Sequence, residues 1–131
     1  MKLKILALSF YFGLLISCGT DIDDNNQCIQ NEIAYVTSVN SPASGIVNEI
    51  INIEVKFEAH NGCGDFGRFI EIEDGNTRII EVEAIYIGCI CTENAPIITT
   101  NYEFIANNTG NYELKFKSGP TDFITVNLTI N

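Results

Sequence analysis

From residue 51 to residue 59 apolar and polar side chains alternate without a break, Ile51, Ile53, Val55, Phe57 and Ala59 against Asn52, Glu54, Lys56 and Glu58. A period of two is the mark of a strand with one face in a core and the other in water. The same alternation returns in Tyr112, Leu114 and Phe116 against Glu113, Lys115 and Lys117, and in Ile124, Val126, Leu128 and Ile130. Shorter runs predict strands over residues 33–39, 68–73, 77–88 and 97–106. Turn residues separate them in "NSPASG", "NGCGDFG", "EDGN", "TENAP", "NNTGN" and "SGPTD". No window carries an apolar stripe at 3.6-residue spacing. About seven short strands in roughly 100 residues predict an all-β domain, a single antiparallel β-sandwich.

Two local features sharpen that expectation. "EIEDGNTRI" reads as a hairpin with Gly75 and Asn76 at its tip, which pairs the strand ending near Glu73 with the one starting at Thr77. "NNTGNYEL" places Gly110 two residues before Tyr112 at the start of the penultimate strand. This resembles the tyrosine-corner region of immunoglobulin-like and fibronectin-like domains and implies a sandwich of that kind. The chain has no Trp, so the buried tryptophan of antibody domains has no counterpart. The resemblance transfers no binding residues, because a fold does not carry a function.

The N-terminus has a different pattern. Lys2 and Lys4 precede an apolar run from Ile5 to Ile16, too short to span a bilayer comfortably and typical of a removed signal peptide. Leu15, Ser17 and Gly19 surround Cys18 in a way that resembles the bacterial lipobox, with an aliphatic residue three positions before the cysteine and a small one just before it. That resemblance implies cleavage after residue 17 and a diacylglycerol thioether on Cys18, so that lipid holds the chain to a membrane. Residues 1–17 are then signal peptide, 18–32 a lipidated tether and 33–131 the sandwich. The acidic Asp21, Asp23 and Asp24 resemble the export signal of Bacteroidetes-type surface lipoproteins, which implies an outer-membrane address with outward display. Asp21, Asp23, Asn25 and Glu32 also stand at positions 1, 3, 5 and 12 of an EF-hand-like loop. Position 6 is Asn26 in place of glycine and no helical pattern flanks the loop, so a solvated tether is the expectation.

Assigning Cys18 to lipid leaves Cys28, Cys63, Cys89 and Cys91, an even set in an exported chain, where disulfides persist. Four cysteines allow three pairings. Carrying the hairpin register backward brings Cys63 near residues 87–91. Cys89 and Cys91, read as part of a strand, would lie about 6.5 Å apart on one side and would not bond each other. The expectation is Cys63 with Cys89 and Cys28 with Cys91. The alternative is a metal site for zinc or copper, with His60, Cys63, Cys89 and Cys91 as a Cys3His set.

Charge narrows the partners. Removing Lys2 and Lys4 with the signal leaves five basic against seventeen acidic residues, a formal charge near −12. Nucleic acid is excluded as a partner, since only Lys56, Arg68, Arg78, Lys115 and Lys117 remain to meet phosphates. One histidine and no nucleophile-elbow, zinc-protease, P-loop or dinucleotide motif leave the common enzymes without their parts. Glu71, Glu73, Asp74, Glu81 and Glu83 could supply a glycosidase pair, but their alternation within strands predicts a wet face. Tyr86, Tyr102 and Tyr112 fall at core positions. Asn107 and Asn127 sit in N-x-T sequons, which mean little in a bacterial lipoprotein. The sequence therefore predicts a non-enzymatic, cofactor-free, lipid-anchored binding or accessory module of the envelope, with a protein or glycan partner. A small metal-handling or inhibitor lipoprotein built on the cysteine-rich end is the alternative.

Overall fold

The alternating segments do form strands, and the computed structural model describes residues 28–131. The strands are β1 (Ile29–Ala34), β2 (Val36–Asn40), β3 (Ser44–Gly45), β4 (Ile51–Glu58), β5 (Gly64–Asp74), β6 (Thr77–Ile87), β7 (Ile97–Phe104), β8 (Gly110–Lys117) and β9 (Phe123–Ile130). They make two sheets: β2-β4-β7, and a six-stranded sheet ordered β1-β6-β8-β9-β3 with β5 on the other edge of β6. The all-β sandwich is as the alternation predicts. The segment expected at 33–39 is two strands in different sheets, and β3 lies where only a turn was expected. The first strand also begins at Ile29, inside the stretch read as tether, because residues 29–34 pair antiparallel with residues 82–87 of β6.

β6 organises the larger sheet. β5 pairs along its whole length on one edge, while β1 and β8 share the other, β1 beside Val82–Ile87 and β8 beside Thr77–Ile80. The β6–β8 pairing is parallel, as is the short β3–β9 pairing, and both depart from the all-antiparallel arrangement of immunoglobulin domains. The Gly75–Asn76 tip is where the sequence puts it, with Asp74 facing Thr77. Gly75 takes φ +59°, a left-handed conformation at the first central position, as in type II′ turns.

Ile53, Val55 and Phe57 of β4 face Ile80, Val82 and Ala84 of β6, Leu114 and Phe116 of β8, and Leu128 and Ile130 of β9 across the core. An aromatic series runs through it: Phe66 and Phe69 with centroids 4.8 Å apart, Phe69 and Tyr102 at 5.1 Å, Tyr102 and Phe116 at 5.6 Å. Each such pair contributes about 0.5–1.5 kcal/mol beyond the area it buries. The sandwich thus has two ends. At one lie Cys28, His60, Cys63 and the loop after β6; at the other lie the 45–50 loop, the β5–β6 hairpin, residues 105–110 and Asn131.

Candidate functional site

The cysteines gather at the first end. Cys28 bonds Cys89 and Cys63 bonds Cys91, with Cα–Cα distances of 5.0 and 5.4 Å. Two bridges among these four cysteines are as expected, but the pairing is exchanged. The reason lies at Gly88, whose φ of +138° ends β6 and turns the chain out of the strand. Cys89 and Cys91 are therefore not held on one side of a strand, as the expected pairing assumed. The amide of Gly88 donates to Cys28 O at 2.9 Å, which sets β1 beside Cys89. The amide of Gly62 donates to Thr92 O at 2.9 Å, which sets Cys63 beside Cys91. A Cβ on residue 88 would stand 3.0 Å from Cys63 Sγ, so the turn needs glycine both for its φ and for its space.

This overturns the Cys3His alternative. Cys63, Cys89 and Cys91 are all bound as disulfide sulfurs, and a zinc or copper site needs them as thiolates. His60 has another position. Its ring stacks on Tyr86 at 4.0 Å, its Nδ1 lies 3.0 Å from Glu32 Oε2, and its backbone amide donates to the Tyr86 hydroxyl at 3.1 Å. The end of β4 is thereby pinned to β1 and β6. Beside it a cavity of about 320 Å³ is lined by Glu32, Tyr35, Glu58, His60, Tyr86 and Ser118. No cluster of metal-ligating side chains occurs among the described residues.

The same end displays apolar side chains. Ile90, between the two loop cysteines, is 96% exposed. Ile29 and Ile87 are cross-strand partners and are 55% and 54% exposed. Sequence reasoning passed over them, although "AIYIGCIC" (residues 84–91) is an uncharged run in a strongly acidic chain and was a visible signal.

The other predicted residues are spread over the sandwich. Glu83 accepts from Arg68 Nε at 2.9 Å and from Asn31 Nδ2 at 3.2 Å, and Glu81 accepts from Lys117 Nζ at 3.0 Å. The hydrogen bond from Arg68 holds Glu83 below the ordinary carboxylate range, against the opposing effect of desolvation. Glu73 lies 3.7 Å from Arg78, whose guanidinium sits 4.7 Å over the Phe104 ring. Tyr86, Tyr102 and Tyr112 are buried, as their strand positions predict. The Tyr112 hydroxyl donates to Asn108 O at 2.9 Å, the tether a tyrosine corner makes. Burial, helped by the neighbouring Glu71 carboxylate and opposed by Arg78, pushes the Tyr102 hydroxyl above its usual range, and that hydroxyl makes no hydrogen bond of regular geometry among the described residues. Asn107 and Asn127 are exposed. Cys18, Asp21, Asp23, Asp24 and Asn25 lie outside the described residues, whereas Glu32 is in β1.

At the far end a groove of about 510 Å³ is lined by Pro42, Gly45, Ile46, Glu49, Ile50 and Asn131, with Ile46 and Ile50 exposed. It is larger than the recess beside His60 and stands at the opposite end from Cys28.

No curated protein and no solved structure gives a significant match to the chain. A family description, the ORF11 beta-sandwich domain, matches residues 53–128, more than half of the chain and most of the span from β4 to β9. With two sheets packed as a sandwich over that span, the chain belongs to the ORF11 beta-sandwich domain family.

Proposed function

We propose that this chain is a lipid-anchored binding or accessory module of the bacterial envelope, held to the outer membrane through Cys18 and displayed outward. It works by holding a partner, protein or glycan, and carries out no reaction of its own. One observation supports the reading above others: Cys28, ten residues after Cys18, is bonded to Cys89 at one end of the sandwich, while the groove beside Ile46 and Ile50 is at the other. A tether at one end and a recess at the opposite end suit a module that points its binding loops away from its anchor. The Tyr112–Asn108 hydrogen bond supports kinship with immunoglobulin-like sandwiches at that end, and the parallel β6–β8 pairing marks a separate topology.

Membrane fractionation with labelled fatty acid tests the anchor. The unaltered protein should take up label and sediment with envelope membranes, and Cys18→Ser should abolish both or leave an unprocessed precursor. Label entering the variant would reject the assignment. Protease shaving of intact cells tests outward display, which full protection of the unaltered protein would overturn. A stoichiometric envelope partner, lost on Ile50→Asp, would identify the far groove as the binding surface.

A further inference from the structure

We propose that the disulfide end of the sandwich rests on the lipid surface that anchors the chain, with Ile29, Ile87 and Ile90 seated at the headgroup boundary; this rests on the anchor at Cys18. The loop carrying Ile90 is fixed on both sides, Cys89 to the start of β1 and Cys91 to the residue before β5. The two bridges on either side of it hold the backbone around Ile90 at the surface, where its side chain is 96% exposed. Ile29 and Ile87 stand side by side on the outer face of the same sheet end, close to that loop. Three exposed isoleucines beside one rigid turn form an apolar contact that water disfavours.

The path of the chain identifies the occupant. Cys28 precedes Ile29 directly, and nine residues separate it from Cys18. Such a segment spans at most about 35 Å. The opposite end lies a further strand length away, about 26 Å for eight residues. The disulfide end is therefore the end to which the tether attaches directly, within about 35 Å of the bilayer. Charge agrees with this placement. Residues 28–31 and 84–91 carry no charged side chain in a protein with seventeen acidic residues, and Glu32, Glu83 and Glu93 stand at their margins. Isoleucine at a headgroup boundary also resembles the apolar face of interfacial anchors.

The test uses the full-length acylated protein in phosphatidylcholine vesicles, some with brominated acyl chains. The chain contains no tryptophan, so Ile90→Trp supplies a single fluorescent reporter and Ile50→Trp a control at the far end. The expected result is blue-shifted emission from Ile90→Trp, quenched by brominated lipid and shielded from acrylamide, with water-like emission from Ile50→Trp. Adding Ile29→Asp should lower the docked population roughly tenfold or more. Water-like emission from Ile90→Trp on protein that stays vesicle-bound would overturn the docking and leave the anchor standing. Shielding from acrylamide without quenching by brominated lipid would overturn it in favour of a protein contact. Protein that carries no acyl mass on Cys18 and leaves the vesicles would remove the anchor and the docking together.

Discussion

The two ends of this sandwich are closed by different means. At the disulfide end two covalent bridges and the Glu32–His60–Tyr86 contact hold β1, β4, β5 and β6 together while isoleucines stay in water. At the far end there is no bridge. Arg78 over Phe104, Phe104 against Tyr112 at 5.4 Å and the Tyr112–Asn108 hydrogen bond close the space between the sheets with aromatic rings. A small domain has too little core to secure every strand end by burial alone. At the far end interlocked rings suffice. At the other, cross-links do the same task, and both ends leave isoleucines exposed, Ile46 and Ile50 at one and Ile29, Ile87 and Ile90 at the other.

Removing the bridges should give the largest effect. The Cys28–Cys89 bond closes a separation of 61 residues and Cys63–Cys91 one of 28. Chain-entropy reasoning gives about 4.3 kcal/mol for the first and about 3.6 kcal/mol for the second, a difference near 0.7 kcal/mol. Urea unfolding of the Cys28→Ser/Cys89→Ser and Cys63→Ser/Cys91→Ser proteins should show that order. Equal losses would mean that local packing at the disulfide end, more than loop closure, sets the value of each bridge. Amide exchange at Ile87 and Gly88 should accelerate in both variants while the far end stays protected.

Two tyrosines probe non-covalent closure. Tyr112→Phe removes a hydroxyl that donates to Asn108 O and should cost about 1 kcal/mol. Tyr102→Phe removes a hydroxyl that is 98% buried with its residue and makes no hydrogen bond of regular geometry among the described residues, so it should be neutral or stabilising. Thermal melts that ranked the two the other way would show that the far end depends on Tyr102 and not on the corner at Tyr112.

The smallest expected effect lies between the ends, where Arg68, Glu83 and Asn31 bridge β5, β6 and β1 on the outer face. Arg68 lowers the folded pKa of Glu83, chiefly through its hydrogen bond. A carboxylate shifted downward stabilises the fold above its unfolded pKa, and that contribution is lost as pH falls through the folded value. Arg68→Gln should therefore lower the melting temperature slightly at neutral pH, and the difference should vanish in acid below the carboxylate range. High salt should shrink it too, since the pair is at the surface. A difference that persisted in acid would point to packing of the Arg68 side chain instead of charge.

The sequence alone determined the strands of β4, β6, β8 and β9, the hairpin tip at Gly75 and the burial of Tyr86, Tyr102 and Tyr112. Each of these rests on short-range chemistry: a period of two, a residue that tolerates positive φ, a core position within an alternating run. What only the tertiary structure decided were matters of neighbours distant in the chain. β6 and β8 lie parallel, β1 and β8 share one edge of β6, and the cysteines pair Cys28 with Cys89 and Cys63 with Cys91. The pairing depended on the break at Gly88 and on two hydrogen bonds to residues far away in sequence, which no local pattern encodes. The isoleucines at the disulfide end show the same limit. The apolar character of Ile29 and Ile87 is written in the chain, but on which side of the sheet they emerge is set by the β1–β6 register.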